Sequence, residues 1–208
     1  MISRSWLFIL SSACIHLAAD PYIPPTAISH WVVNPGQTIE EPQQTQWMIG
    51  LGFELGLADS EENTLSLVAG RGGNYWHWTH TIGLIKGDQT HFGIGTHFHY
   101  NVFQTSDNHT RLGPQFTLSA RTGDQIEYYF GYKLRYSDNF YPPLGVFTAF
   151  GGSSRFSDAG ENVNAIDGLA GIQFLIGERA AYSTGLEFSR RENELTRRWV
   201  QSIRMVVD

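Results

Sequence analysis

Four histidines lie close together in one part of the sequence, at spacings that could bring their imidazole side chains together for a chemical role. His97 and His99 lie two residues apart in the stretch HFGIGTHFHYNVF, which also contains His91. His77 comes from the preceding stretch, NYWHWTHT. Large apolar residues alternate with these histidines, a period that is typical of a β-strand. Side chains two residues apart on a strand share a face at about 7 Å, so the imidazoles could act together.

Such imidazoles would suit either a metal site or a hydrogen-bond network. A metal ion needs at least three converging ligands, and the spacing of the acidic residues places no third ligand beside the histidines. Glu54 and Glu127 share the polar side of the alternation on other strands. We therefore expect a hydrogen-bond network of the imidazoles with Glu54 and Glu127, without a metal or another cofactor.

The composition predicts a single large domain and excludes one class of function, nucleic-acid binding. The 208 residues are enough for one large domain, and 13% of them are aromatic while only 16% are charged. The formal net charge is -6, and the sequence contains no basic stripe of the kind that nucleic-acid binding requires. The sequence therefore excludes a nucleic acid as a partner.

Residues 1–19 predict an export signal. A basic residue precedes the apolar stretch WLFILSSACIHLAA, and the small residues Ala18 and Ala19 stand where a cleavage site would. A buried N-terminal helix is the alternative. Cys14, the only cysteine, lies in this segment and could instead carry a lipid. Cleavage after Ala19 would leave a chain without disulfides or cysteine catalysis.

Residues 20–46 form the next segment and hold five of the eight prolines. Proline fixes φ and lacks an N–H, so this segment is expected to be an extended arm rather than a regular element. The arm could enter a barrel and plug it, or remain a loose leader.

From Trp47 onward the sequence alternates with a period of two, and turn-forming residues separate the runs. This pattern predicts an all-β domain over residues 47–208. Two runs, 63–70 and 143–151, decide between eight and ten strands. The candidate strands are 46–58, 63–70, 75–86, 90–104, 111–121, 125–136, 143–151, 164–176, 180–189 and 195–207.

One face of these strands is apolar, whereas the other combines glycine with a few charges. In WMIGLGFELGLA, Trp47 and Phe53 alternate with Gly52 and Glu54. Glycine weakens strands, so its repetition on one face indicates side chains crowded into a narrow lumen. We expect Glu54, Glu127, Asp167 and Glu187 to neutralise Lys133, Arg135, Arg198 and Arg204 there. The polar residues expected in the lumen are Glu54, His77, His91, His97, His99, Glu127, Lys133 and Arg135.

Strands that are apolar outside and polar inside are typical of transmembrane barrels, which also carry aromatic girdles at both interfaces. Trp47, Trp78 and Tyr136 are placed for such a girdle. The chain thus resembles the small bacterial outer-membrane β-barrels. The resemblance implies an up-and-down antiparallel transmembrane barrel of eight to ten strands in the outer membrane, in contact with lipid and lipopolysaccharide. With a filled lumen it would be no open pore, and its role would be structural or exerted through its loops.

Two other functions remain open. A soluble, lipocalin-like barrel would turn its apolar face inward around a lipophilic ligand. A lipid A-modifying barrel enzyme of the deacylase kind needs a His-x-Ser pair near its C-terminus, but this chain has Glu187 before Ser189, and its last histidine is His109. The resemblance to that family therefore assigns no catalytic residue.

Three polar segments are candidates for outside contacts. The loops TSDNHTR (105–111) and SSRFSDAGENVN (153–164) could bind an unknown partner. Four arginines surround one hairpin and either bind lipid phosphate groups or form an ordinary solvated turn. They are Arg190, Arg191, Arg197 and Arg198.

Overall fold

A computed structural model of the chain describes residues 46–57, 62–73, 75–105, 110–122, 126–141, 143–158, 162–176, 180–191 and 194–207. The expected export signal and nearly all of the expected arm lie outside the described residues. In the part of the chain that is described, no helix is long and apolar enough to cross a membrane. The strands are β1 (Gln46–Leu57), β2 (Asn63–Gly72), β3 (Trp76–Lys86), β4 (Thr90–Tyr100), β5 (Phe103–Gln104), β6 (Thr110–Arg121), β7 (Glu127–Tyr141), β8 (Leu144–Ser157), β9 (Asn162–Ile176), β10 (Ala180–Arg191) and β11 (Glu194–Val207).

Ten of these strands close into an antiparallel barrel. Strands adjacent in sequence are adjacent in space, β1 pairs with β11, and β4 pairs with β6 past the two-residue β5. Following paired residues once around the barrel from Val207 leads back to β11 at Leu195, twelve residues away. A stagger of this kind tilts the strands by roughly 35–45°. The predicted up-and-down barrel is confirmed with ten strands, and both deciding runs are strands.

The predicted strand 90–104 is interrupted. β4 pairs with β6 as far as His99, and pairing resumes at Phe103 with one extra residue on the β4 side, which is a β-bulge. At the bulge the Asn101 N–H donates to the Tyr75 carbonyl. Gly113 of β6 lies directly beneath the Tyr100 carbonyl, where any Cβ would collide. The bulge therefore needs a glycine on the neighbouring strand.

The two ends of the barrel are distinct. We call the end where β1 begins and β11 finishes the terminal end, and the opposite one the distal end. Of the two expected contact loops, 105–111 and 153–164, residues 106–109 and 159–161 lie outside the described residues; the described residues of the first are at the terminal end, and those of the second are at the distal end. Both cannot face the same compartment. Most of 153–164 is also strand, because β8 continues to Ser157 and β9 begins at Asn162, so it is not the long loop that was expected.

The outer surface is apolar along the strands. Large hydrophobic side chains such as Leu67, Ile94 and Leu134 are about half exposed, and polar residues alternate with them on the inside. Trp47, Trp78, Tyr100 and Tyr136 lie on the outer surface near the terminal end. A soluble ligand-binding barrel would have the reverse arrangement. The described surface is that of a transmembrane barrel.

Apolar side chains fill the middle of the lumen on one wall. Phe147, Ala149, Leu169 and Val200 form a buried cluster from β8, β9 and β11. A Cβ added at Gly171 would collide with the Phe147 ring, and the rings of other residues cover further inward glycines in the same way. The crowding expected from glycine on the inner face is therefore seen at Gly171.

Candidate functional site

The candidate site is the polar interior of the barrel. Of the residues expected in the lumen, His91 and Glu127 are half-buried near the distal end. The other six lie inside the barrel and are each at most 6% exposed, namely Glu54, His77, His97, His99, Lys133 and Arg135.

Ion pairs bridge the lumen in its distal half. The Arg121 guanidinium on β6 donates both of its terminal nitrogens to Glu62, at 2.6 and 3.1 Å. Glu62 lies just before β2 and also contacts Arg198 of β11 at 3.6 Å. Arg198 in turn contacts Glu54 of β1 at 3.3 Å. This chain of charges runs from one wall of the barrel to another.

A second ion pair crosses the lumen nearer its middle. Lys133 Nζ of β7 donates to Glu187 Oε1 of β10 at 2.9 Å, and both side chains are almost fully buried. Two strands, β8 and β9, separate these residues along the wall. The Tyr129 hydroxyl of β7 likewise donates to Asp167 of β9 at 3.2 Å. These contacts hold non-adjacent strands together through the interior.

The expected ion pairs form in part. Glu54 does contact Arg198, and Glu187 does contact Lys133. Glu127, however, contacts Arg155 of β8 at 3.5 Å, a residue that the sequence did not single out. Glu62 was missed because it precedes β2, where alternation gives no signal, and Arg121 was not named although it lies on the inner face of the predicted strand 111–121.

The terminal half of the lumen has different chemistry. The His77 and His99 rings stack with centroids 6.1 Å apart, and His99 also contacts the Asn101 side chain. The positive charges of Arg111, Arg135 and Arg204 all act on the His77 ring. Among the described residues, no carboxylate forms an ion pair with Arg204. Cations and imidazoles therefore dominate this half.

The expected hydrogen-bond network of the histidines with Glu54 and Glu127 is wrong. His97 bonds to Thr117 of the adjacent strand at 2.9 Å, and His99 bonds to Asn101. The reason is position along the strands: Glu54 lies toward the distal end of β1, whereas His77, His97 and His99 lie toward the terminal ends of β3 and β4. Within the described residues, no group of three or more His, Cys, Asp or Glu side chains could hold a metal ion.

The four arginines of the C-terminal hairpin lie on two different faces of the barrel wall. Arg190 and Arg197 are exposed on the outer surface, whereas Arg191 and Arg198 are buried inside. The four residues are therefore neither one lipid-binding cluster nor one solvated turn. Glu187, which stands where the deacylase family needs a histidine, is occupied by the ion pair with Lys133.

No protein-family model and no curated protein sequence matches this chain. Among solved structures, a KdgM porin is similar with 12% identity and a TM-score of 0.49, over 77% of this chain and 99% of the porin. A KdgM porin in complex with disordered oligogalacturonate has 11% identity and a TM-score of 0.45, over 77% and 99%. A loop-deletion mutant of OmpT, an outer membrane protein of Vibrio cholerae, has 6% identity and a TM-score of 0.40, over 77% and 59%. Similarities this low carry no information on a ligand or an activity.

Proposed function

We propose that this chain is an exported barrel of the outer membrane with a closed lumen, acting as a structural element or through its loops. Its export would use residues 1–19 as a signal that is removed after Ala19. The observation that carries the closed lumen is the crossing of charged side chains through the interior. No catalytic residue is part of this proposal.

The proposed closure rests on ion pairs between strands that are not neighbours in the barrel wall. The contact of Lys133 with Glu187 spans two intervening strands, and the contact of Arg121 with Glu62 joins β6 to the start of β2. Buried ion pairs are strongly held once formed, because separating them leaves a charge without a partner in a medium of low dielectric constant. The lumen would therefore not let ions or solutes pass from one end of the barrel to the other.

Conductance in planar lipid bilayers tests the closure. We expect the refolded full chain to insert without stable current steps. The double variant Lys133→Ala/Glu187→Ala removes the crossing pair and is the positive control, in which openings should become frequent. Regular steps from the unmodified protein, comparable to those of the double variant, would overturn the closed lumen.

Cell fractionation tests the location. We expect the protein in the outer-membrane fraction, with a gel mobility that changes on boiling, as a stable barrel gives in detergent. A protein found in the soluble periplasmic fraction would contradict the membrane location.

Comparison of lipid A masses with and without the protein separates this function from a lipid A-modifying enzyme, since no mass change is expected here.

We further propose that the outer surface contacts lipopolysaccharide at the distal end. Arg190 and Arg197 lie there beside the apolar Phe188 and Leu195. Guanidinium groups bind phosphate oxygens in a bidentate manner, and phosphates of lipopolysaccharide would supply such oxygens. The distal end would then face the outside of the cell.

Cysteine labelling tests this orientation, because cleavage after Ala19 would remove Cys14 and leave no background thiol. The variant Asp88→Cys carries a thiol in the distal β3–β4 turn, and Thr105→Cys carries one at the terminal end. We expect a membrane-impermeant maleimide to label only Asp88→Cys on intact cells. Labelling of Thr105→Cys alone would reverse the orientation.

A further inference from the structure

The terminal half of the lumen contains buried polar atoms without hydrogen-bond partners. Nε and Nη1 of Arg204, both ring nitrogens of His77, and both amide atoms of Gln173 are in this position. The three side chains are 4%, 6% and 1% exposed. A buried polar group without a partner is costly, and a buried cation is more so. Three such groups in one half of the interior indicate that something else supplies their partners.

Two glycines leave room for Arg204 and His77 at the inner wall of the barrel. Arg204 of β11 leans over β1, since a Cβ at Gly50 would lie 2.8 Å from the Arg204 Cγ. His77 of β3 leans over β2, since a Cβ at Gly72 would collide with its Nδ1. Because β1 and β2 lie between β11 and β3, Arg204 and His77 face the lumen from the two sides of this pair of strands.

The charge around this position is positive. Arg111, Arg135 and Arg204 all act on the His77 ring, and Arg111 and Arg204 both act on Arg135. Arg204 is held by Ser202, a neutral partner, through Nη2 at 3.3 Å. Water could satisfy the free N–H groups, but it cannot neutralise the buried charge. An anion does both.

We propose that the terminal half of the lumen binds a small oxyanion between Arg204 and His77, with Gln173 as a neutral donor. The planar guanidinium presents paired N–H groups that match two oxygens of a phosphate, a sulfate or a carboxylate. This site goes beyond the closed lumen proposed above, which needs no ligand, and either proposal can fail without the other.

Binding of inorganic sulfate to the refolded full chain in a neutral detergent tests the site. Calorimetric titration should give saturable binding of about one sulfate per barrel at constant ionic strength. The unfolding temperature should rise with sulfate, by roughly 5–10 °C when sulfate exceeds its Kd a hundredfold. Absence of saturable binding to the unmodified protein would show that water alone fills the site and would overturn the proposal.

Two variants locate the site. Arg204→Met should abolish the sulfate-dependent shift. Arg71→Gln is the matched control, because it removes the same charge from the outer surface at the same end, where Arg71 lies over the Trp47 ring. It should keep the full shift. Equal shifts in both variants would overturn the assignment, and His77→Leu, which should also reduce the shift, provides the test if Arg204→Met does not fold.

Discussion

The two halves of the lumen hold buried arginines in different ways, as Arg198 and Arg204 show. In the distal half, Arg121, Lys133 and Arg198 each contact a carboxylate, and two of the carboxylates come from distant walls. In the terminal half, Arg204 contacts a serine, and stacked histidines lie nearby. On β11 a single apolar residue of the central cluster, Val200, lies between the two regions.

This difference shows what an interior charge can do in a barrel. Where a carboxylate is within reach, the charged side chain forms an ion pair with it, and this pair can link strands that share no backbone hydrogen bonds. Where none is within reach, it leaves binding capacity for a ligand. Under the two proposals above, the same residue type, arginine, therefore helps to close the lumen at one end and forms a candidate anion site at the other.

The largest expected effect comes from removing one partner of a distal pair. Lys133→Met should leave Glu187 buried without that cation and lower the free energy of unfolding by about 3–5 kcal/mol. Lys133→Met/Glu187→Leu should recover a large part of the loss, because no buried charge is then left over. Urea unfolding in lipid vesicles measures both. A double variant that is as unstable as the sum of the single changes would mean that the pair is not coupled.

A smaller effect is expected from the apolar cluster between the two halves. Gly171→Val should push against the Thr184 carbonyl and Gly185 of β10 as well as the Phe147 ring, and cost about 1–3 kcal/mol through overpacking. Adding Phe147→Leu relieves only the contact with the ring and should recover part of this loss. If the second change makes the protein still less stable, the collision at Gly171 is not what limits the packing there.

The smallest effects are expected on the outer surface, where the two halves should behave alike. The Trp78 indole donates to Thr96 in the terminal half, and the Trp199 indole, on the distal side of Val200, donates to Thr184 nearer the middle of the barrel, both at 2.6 Å. Thr96→Val and Thr184→Val should each cost about 0.5–1.5 kcal/mol, since each leaves an indole N–H facing lipid. Thr148→Val, on the same surface, is the control and should be neutral. A large difference between the first two variants would show that the halves differ outside as well.

Alternation in the sequence was sufficient to predict the fold and the side to which most residues point. It predicts, for example, that Arg197 and Arg198 lie on opposite faces, because adjacent side chains of a strand point to opposite sides. It could not predict partners across the lumen. Those depend on the twelve-residue stagger, which brings Glu62, just before β2, beside Arg121 of β6. Nor could it predict the bulge at Asn101, whose cause lies at Gly113 on the next strand.

The most direct test of the account compares the same substitution in the two halves. Arg198→Met and Arg204→Met replace one buried arginine each and are measured by urea unfolding in buffer without sulfate or phosphate. We expect Arg198→Met to lower the free energy of unfolding by about 3–5 kcal/mol, because Glu54 loses its partner. Arg204→Met should leave it unchanged or raise it, since a buried cation without a carboxylate is removed. Equal losses in both variants would contradict the account.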